Sequence, residues 1–479
     1  MKKILLLFII LILFQPVKAN YIPFGTAEFE FVYDRMERNN TIELSRFDHQ
    51  LGFYLNYDSE NLPFNYLSKP TKGEIGFLGF FTEDIFSKKE NHAIAYESFR
   101  GGLFFCPTKK IQIFANFKLD EKIANDKNYT GKKWRGLAGN VENSIFIFKL
   151  KNLDFIAGRF ASFWGPRNSL LLASNVALDG FESRWRYGKL TFTYKFAQLD
   201  DLQHNINNST IFENRYFAGH RVDFHFLDNF RLGLFETIIF GGEGRQIDLA
   251  YLNPLLLYHA VQLNKDVNDN TFLGFDFDYQ PKAGINLYGQ LVVDDFQIDK
   301  RVQGDQEPNE IGLLIGSYVV DLIKSVDIKA EYSRVTNRTY NQNLTRNRYV
   351  YDGELLSAAL GNDYDFSKIK IIRWFSSDFY SALNLSYYRQ GEGRVLDDWT
   401  QPWFDIDGDY SEPFPTGTVE KHFNISIQFK GFFKNNFYVD FEGGFEKVNN
   451  FEHRVDDSRN FPFIKLKLSG FISSIIDLN

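Results

Sequence analysis

Short runs that alternate apolar and polar residues recur along most of this chain, and that period of two limits the fold more than any other feature. Phe423, Ile425, Ile427 and Phe429 interleave with Asn424, Ser426, Gln428 and Lys430. Phe437, Val439, Phe441 and Phe445 then interleave with Tyr438, Asp440, Glu442 and Glu446. Successive side chains of a strand point to opposite faces, so each run has one apolar face and one wet face. A β-sandwich also alternates, but here charges occupy the wet face along whole segments and the 479 residues far exceed one sandwich. Together with a secretion signal, these features predict an all-β chain: a transmembrane antiparallel β-barrel with a polar lumen.

That signal lies at the start. Lys2 and Lys3 precede an apolar run from Ile4 to Phe14, and Val17-Lys18-Ala19 offers small residues for cleavage. The apolar run is too short to cross ~30 Å of hydrocarbon as a helix, so residues 1–19 are expected to be a signal peptide and 20–479 the barrel domain. Nothing after Ala19 supplies ~18 consecutive apolar residues. The expected location is therefore the outer membrane of a Gram-negative cell, with lipid and lipopolysaccharide around the barrel and the barrel-assembly machinery as a partner. Mean hydropathy of −0.30 does not oppose this, because lumen-facing residues dilute lipid-facing ones.

Composition excludes several classes. Aromatic residues are 17% of the chain, with 52 Phe and 25 Tyr, as interfacial girdles and lipid-facing bulk require. The single cysteine, Cys106, rules out a disulfide scaffold and a Cys-based metal cluster. Loss of Lys2, Lys3 and Lys18 would take the formal charge from −7 to −10, a poor match for nucleic acid. No Gly-x-Ser-x-Gly, His-Glu-x-x-His or phosphate-binding glycine loop occurs, so neither an enzyme nor a cofactor is expected. Asp405-Ile406-Asp407-Gly408-Asp409 with Glu412 resembles part of a calcium loop, but its glycine is misplaced and its flanks are not helical; it reads as an acidic surface loop, without metal.

Further alternating runs include Leu190–Ala197, Arg221–Phe226, Leu273–Tyr279, Ile285–Asp294, Val326–Ser333 and Leu383–Tyr388. Lys151-Asn152, Asp228-Asn229 and Lys434-Asn435-Asn436 read as hairpin turns. Leu199–Asn214, Gln297–Glu310, Asn337–Arg348 and Val395–Thr418 read as long external loops. The length accommodates about 18 strands, an even number as such barrels use. Asn61–Lys89 carries Pro63 and Pro70 with little alternation and is expected to be a helical or irregular periplasmic insert. Opposite charges on the wet faces, such as Asp276, Lys329, Glu331 and Asp440, are expected to pair across the lumen.

One stretch stands out: Gly158-Arg159-Phe160, then Trp164-Gly165-Pro166-Arg167-Asn168-Ser169-Leu170-Leu171-Leu172-Ala173-Ser174-Asn175. Glycine and proline make it a shaped loop. Its tryptophan and arginines could offer a stacking face and planar donors to a sugar, or could fold into the lumen as a plug and satisfy one another. Several blocks resemble the capsule-assembly family typified by Wzi. They are this loop, Gly219-His220-Arg221-Val222-Asp223, Glu236 before Gly241-Gly242, Tyr251-Leu252-Asn253-Pro254, and Leu360-Gly361-Asn362-Asp363-Tyr364-Asp365, in the same order across residues 155 to 395. The resemblance implies an 18-stranded outer-membrane barrel that acts as a surface lectin, with capsular or extracellular polysaccharide as ligand; the lumen itself is expected to be plugged and closed. Arg159, Trp164, Arg167, Arg221 and Asn253 would be the contacts. The alternative is a general porin for small solutes, which a barrel alone would equally allow.

Overall fold

The computed structural model describes residues 27–43, 73–88, 94–108, 110–126, 129, 131–173, 176–206, 209–265, 267–297, 306–406, 410–433 and 437–477. Eighteen antiparallel strands form one closed sheet. They are β1 (Glu74–Lys88), β2 (Ile94–Thr108), β3 (Ile111–Asp120), β4 (Leu137–Lys149), β5 (Leu153–Phe160), β6 (Leu178–Tyr187), β7 (Leu190–Gln198), β8 (Ser209–Leu227) and β9 (Phe230–Glu243). The second half holds β10 (Asn270–Lys282), β11 (Ile285–Asp295), β12 (Glu310–Ile323), β13 (Val326–Val335), β14 (Tyr364–Ser376), β15 (Phe379–Gln390), β16 (Glu420–Phe433), β17 (Phe437–Asn449) and β18 (Ser458–Asp477). Each pairs with the next in sequence, and β1 pairs with β18 from Glu74↔Asp477 to Lys88↔Phe463, which closes the barrel. The short strand Leu202–Ile206 folds back on the start of β8. Among the described residues three α-helices are present: α1 (Ala27–Glu43), the single turn α2 (Glu121–Ala124) after β3, and α3 (Tyr258–Lys265). No helix among the described residues is long and apolar enough to cross a membrane.

The alternation sorts as expected. Phe423, Ile425, Ile427 and Phe429 of β16 are 38–51% exposed on the outer wall, whereas Ser426 and Lys430 at alternate positions are buried inside. Lipid would penalise the reverse register, since a charge at the midplane costs ~2–4 kcal/mol. Inside, Asp276 pairs with Arg221, Lys329 with Glu37 of α1, and Asp440 with Lys430. Glu331 accepts from the Tyr288 hydroxyl and from Asn168.

Among the described residues, one end of the barrel has tight connections, for example between β4 and β5, β8 and β9, and β14 and β15. Exposed Phe226, Phe375 and Phe433 lie there with Phe230, Tyr279 and Phe379 as an aromatic belt. The other end carries the long segments, so it faces outward from the cell by the usual asymmetry of outer-membrane barrels.

Two expectations are corrected. Residues 74–88, expected within an irregular insert, are β1; adjacent apolar residues such as Phe80-Phe81 hide its period of two. Leu199–Asn214 is not a plain loop but a hairpin that extends β8 beyond the barrel rim. The signal peptide, the rest of Asn61–Lys89 and the Lys434-Asn435-Asn436 turn lie outside the described residues.

Candidate functional site: the loop end and its inserts

The loop between β5 and β6 turns inward rather than outward. A two-residue ladder pairs Phe163–Trp164 with Leu172–Ala173, which bends the segment back on itself. Gln290, on the inner face of β11, then fixes it. Its carbonyl oxygen accepts from the Leu170 amide at 2.6 Å and the Ser169 hydroxyl at 3.0 Å, and its amide donates to the Trp164 carbonyl at 3.2 Å. Gly165 has φ +102°, where an L side chain is strained, and a Cβ there would meet Gln290 Nε2 at 2.7 Å. A Cβ at Gly219 would sit 2.9 Å from the Trp164 ring. The Trp-Gly-Pro loop is thus shaped to lie flat against the lumen wall.

Residues 336–363 follow it in. Arg215, fully buried, donates to the carbonyls of Arg346, Arg348 and Val350 at 2.7–3.0 Å. The Tyr340 hydroxyl donates to the Leu170 carbonyl at 2.5 Å, and the Tyr340 amide donates to Asp294 at 2.7 Å. Trp164, Leu170, Leu171, Leu172, Phe217, Phe272, Tyr340 and Tyr349 then form one buried apolar cluster across the loop end. Asp363 links this insert to the segment after β15, accepting from the amides of Thr416 and Gly393 at 2.9 and 3.1 Å.

From the tight-turn end comes α1. Phe31 packs against Trp374, Tyr380, Phe432 and Tyr438. Asp34 accepts from Lys370 at 3.2 Å and from the Tyr380 hydroxyl at 2.7 Å, and Arg38 pairs with Asp321 and Asp327. Arg167, at the tip of the β5–β6 loop, reaches α1: it pairs with Glu30 and Asp34 and lies 4.5 Å from the Tyr33 ring. Burial pulls the Arg167 guanidinium down to about 10, so it stays charged near neutral pH. Between helix and loop lies a 410 Å³ chamber lined by Arg167, Lys329, Lys368, Lys370 and Lys430 and by Glu30, Asp34, Glu37, Glu331 and Glu442.

On the outer rim, three connections leave a polar and aromatic cleft of 220 Å³, bounded by Asn309, Arg334, Asn337, Tyr410, Glu412 and Phe414. Arg334 lies 3.7 Å from the Phe414 ring centre. Glu412 accepts from Arg338 at 2.8 and 2.9 Å, and Arg338 in turn stacks over the buried Trp403 at 4.9 Å. Burial and the neighbouring Glu412 push the Tyr410 hydroxyl above the usual tyrosine value, which keeps it a neutral donor. The cleft offers a guanidinium fork, an amide, a phenol and a ring face, groups that suit hydroxylated, ring-shaped ligands.

The expected contact residues do not share one surface. Trp164, Arg167 and Arg221 face the lumen; Trp164 and Arg221 are fully buried, the latter with Asp223 and Asp276. Arg159 lies on the outer side of the rim, partly exposed and paired with Asp179 at 3.0 Å. Asn253 is exposed in the β9–β10 connection, where its side chain accepts from the Leu255 amide. The cleft was not legible beforehand; the aromatic-rich 403–414 stretch was its only local signal, and it read as an acidic loop. Asp407–Asp409 lie outside the described residues, and Glu412 is paired with Arg338. Among the described residues no group of three or more His, Cys, Asp or Glu is placed to hold a metal.

Comparison with known proteins now gives the lineage. No curated sequence matches the chain. Among solved structures it is similar to Escherichia coli Wzi, described as an outer membrane protein involved in group 1 capsule assembly and a carbohydrate-binding β-barrel. The two share 15% identity and a TM-score of 0.53, over 83% of this chain and 84% of that one. It also resembles Pseudomonas aeruginosa OccD3 at 10% identity and a TM-score of 0.49, over 87% and 98% of the two chains. Pseudomonas aeruginosa OprD gives 8% identity and a TM-score of 0.48, over 85% and 97%. The model of the family described as capsule assembly protein Wzi matches residues 124–462, well over half of the chain. This outer-membrane barrel therefore belongs to the Wzi capsule assembly family.

Proposed function

We propose that the protein binds exported polysaccharide at its loop end and takes part in capsule or exopolysaccharide assembly on the cell surface, without catalysing a reaction. The observation that carries this reading is the family match over residues 124–462, which spans both loop inserts and the rim cleft. Arg334, Asn337, Tyr410 and Phe414 are the contacts we favour, with Arg159 reachable from the same side of the membrane; Asn253, in the connection that lies over the outer wall, is not among them. Trp164 and Arg167 act as positioning residues that hold the inserts under this surface, and Arg221 braces the wall beneath them through Asp223 and Asp276. The lumen acts as closed, because inserts from both ends meet at Arg167. Residues 1–19 serve as the export signal, and the barrel-assembly machinery inserts the mature chain among lipid and lipopolysaccharide.

The test is deletion of the gene, followed by separate assay of cell-attached and released polysaccharide and of small-solute uptake. Release of polymer with normal uptake is the expected result. Normal retention with slowed uptake would overturn the lectin reading in favour of a diffusion channel. Reintroduced Arg334→Ala and Tyr410→Ala proteins should each weaken polysaccharide binding by about 1–2 kcal/mol, roughly tenfold, with the folded barrel present in normal amount.

A further inference from the structure

Glu236 and His220 are out of place for a membrane wall. On β9, Leu232, Leu234, Glu236, Ile238 and Phe240 share the outer face, and Leu234 is 45% exposed to lipid. His220 of β8 is the direct neighbour of Glu236, with Nε2 at 3.1 Å from its carboxylate. Glu236 lies six residues from Phe230 of the aromatic belt, roughly 20 Å along the strand and ~15 Å in height once its tilt is counted, inside an apolar band ~25 Å tall. A bare carboxylate at that depth would face hydrocarbon.

It is not bare. The connection after β9 descends over the outer wall, and the first turn of α3 donates the amides of Tyr258 and His259 to Glu236 at 2.9 and 2.8 Å. The Tyr194 hydroxyl, also on the outer wall, donates to the Tyr251 carbonyl at 3.0 Å. Tyr251 and Tyr258 pack with Phe196, Tyr216, Ile238 and Phe240, all outward residues of β7, β8 and β9. The segment thus covers lipid-facing wall, and its own far side must meet whatever that wall would have met. There Ile247, Leu249, Leu255 and Leu257 are 45–80% exposed.

We propose that residues 244–262 form a strap embedded in the outer leaflet, held to the barrel by Glu236, with these four side chains among the acyl chains of lipid. The apolar face continues the barrel's own lipid-facing band, while the inner side of the segment is tied to the barrel by polar contacts: the amides of Tyr258 and His259 to Glu236, the Arg245 guanidinium and the Tyr251 hydroxyl to Asp269, and the Gln262 amide to the Asp269 carbonyl. An interfacial segment of this kind, apolar on its outer face and hydrogen-bonded on its inner face, binds a leaflet by buried apolar area. It fixes the height at which the external cleft stands above the membrane.

The test uses the full barrel in phospholipid vesicles, with Cys106→Ala as background and an environment-sensitive fluorophore on single cysteines. Leu249→Cys and Leu255→Cys are compared with Leu234→Cys on the lipid-facing wall and Asp398→Cys on an external loop. Folding of each variant is checked by heat-modifiable gel migration. Both strap labels should be quenched by a nitroxide carried on the lipid acyl chain and shielded from aqueous iodide, as at Leu234. Iodide quenching equal to that at Asp398 would overturn the proposal. Shielding from both quenchers would overturn it too, since a second copy rather than lipid would then cover the strap.

Discussion

Arg221 sits fully buried on the inner face of β8, and its charge is matched rather than free. It donates to Asp223 at 2.6 and 3.0 Å and to Asp276 at 2.8 Å, and Arg231 meets the same two carboxylates at 2.8 and 2.9 Å. Two guanidiniums against two carboxylates leave no net charge in a space with little water. Arg221→Ala would leave two buried carboxylates to one arginine, a loss of about 3–5 kcal/mol. Urea unfolding of the barrel in detergent should show it as a lowered midpoint, whereas Arg159→Ala on the partly exposed rim should move the midpoint little. Gln290→Ala makes a different case. It orphans the buried Leu170 amide and frees Ser169, at about 1–3 kcal/mol, and should loosen the Trp-Gly-Pro loop while the barrel stays closed. Limited proteolysis within residues 161–177 would report it. Arginine and glutamine at these positions were visible in the sequence, but nothing there said that Asp276 would meet Arg221 from 55 residues away or the Leu170 amide Gln290 from 120.

The elements were legible to very different degrees. Strands such as β16 and β17 announce themselves, because lipid outside and water inside force strict alternation over whole spans. β1 did not, since Phe80-Phe81 places two large apolar residues side by side. α1 was missed altogether. Its opening Glu28-Phe29-Glu30-Phe31 reads as alternating strand, and only Phe31, Asp34, Arg38 and Thr41, spaced three or four apart, show the helical face that meets the wall. The destination of the loops was equally hidden: polar, glycine-containing stretches look the same whether they project into water or fold into a lumen. The alternative of a plug was open for the Trp-Gly-Pro loop, yet nothing local marked residues 336–363 for the same fate. For α1, Asp34 is the latch, joined to Arg167, Lys370 and Tyr380. Asp34→Ala should therefore raise amide hydrogen exchange across Ala27–Glu43 many-fold while exchange in β14 and β15 stays slow. Equal protection of α1 in both proteins would show that Phe31 packing alone holds it.

At the scale of the molecule, the two ends of the barrel are filled by different kinds of insert and need not count equally. α1 lies along one side of the lumen; its contacts run from the turn before β11, where the Gly284 amide donates to the Thr41 carbonyl, to Tyr438 of β17. The loop end is crossed by an apolar cluster that draws on the β5–β6 loop, residues 336–363 and inward side chains of β6 through β14. An apolar cluster excludes water and ions over its whole area, whereas a helix bordered by a charged 410 Å³ chamber leaves polar paths beside it. Conductance should accordingly be set at the loop end. In planar bilayers the intact protein should pass little current, and excision of Ala27–Glu43 should raise it only slightly. Replacement of residues 340–359 by a short glycine-serine linker should open large, steady steps, because it removes Tyr340, Tyr349 and Leu356 from the cluster together. The same change leaves Arg334, Tyr410 and Phe414 in place, so residual polysaccharide binding would separate the seal from the proposed binding cleft. Large steps from the helix excision and none from the loop replacement would reverse the assignment and make α1 the gate.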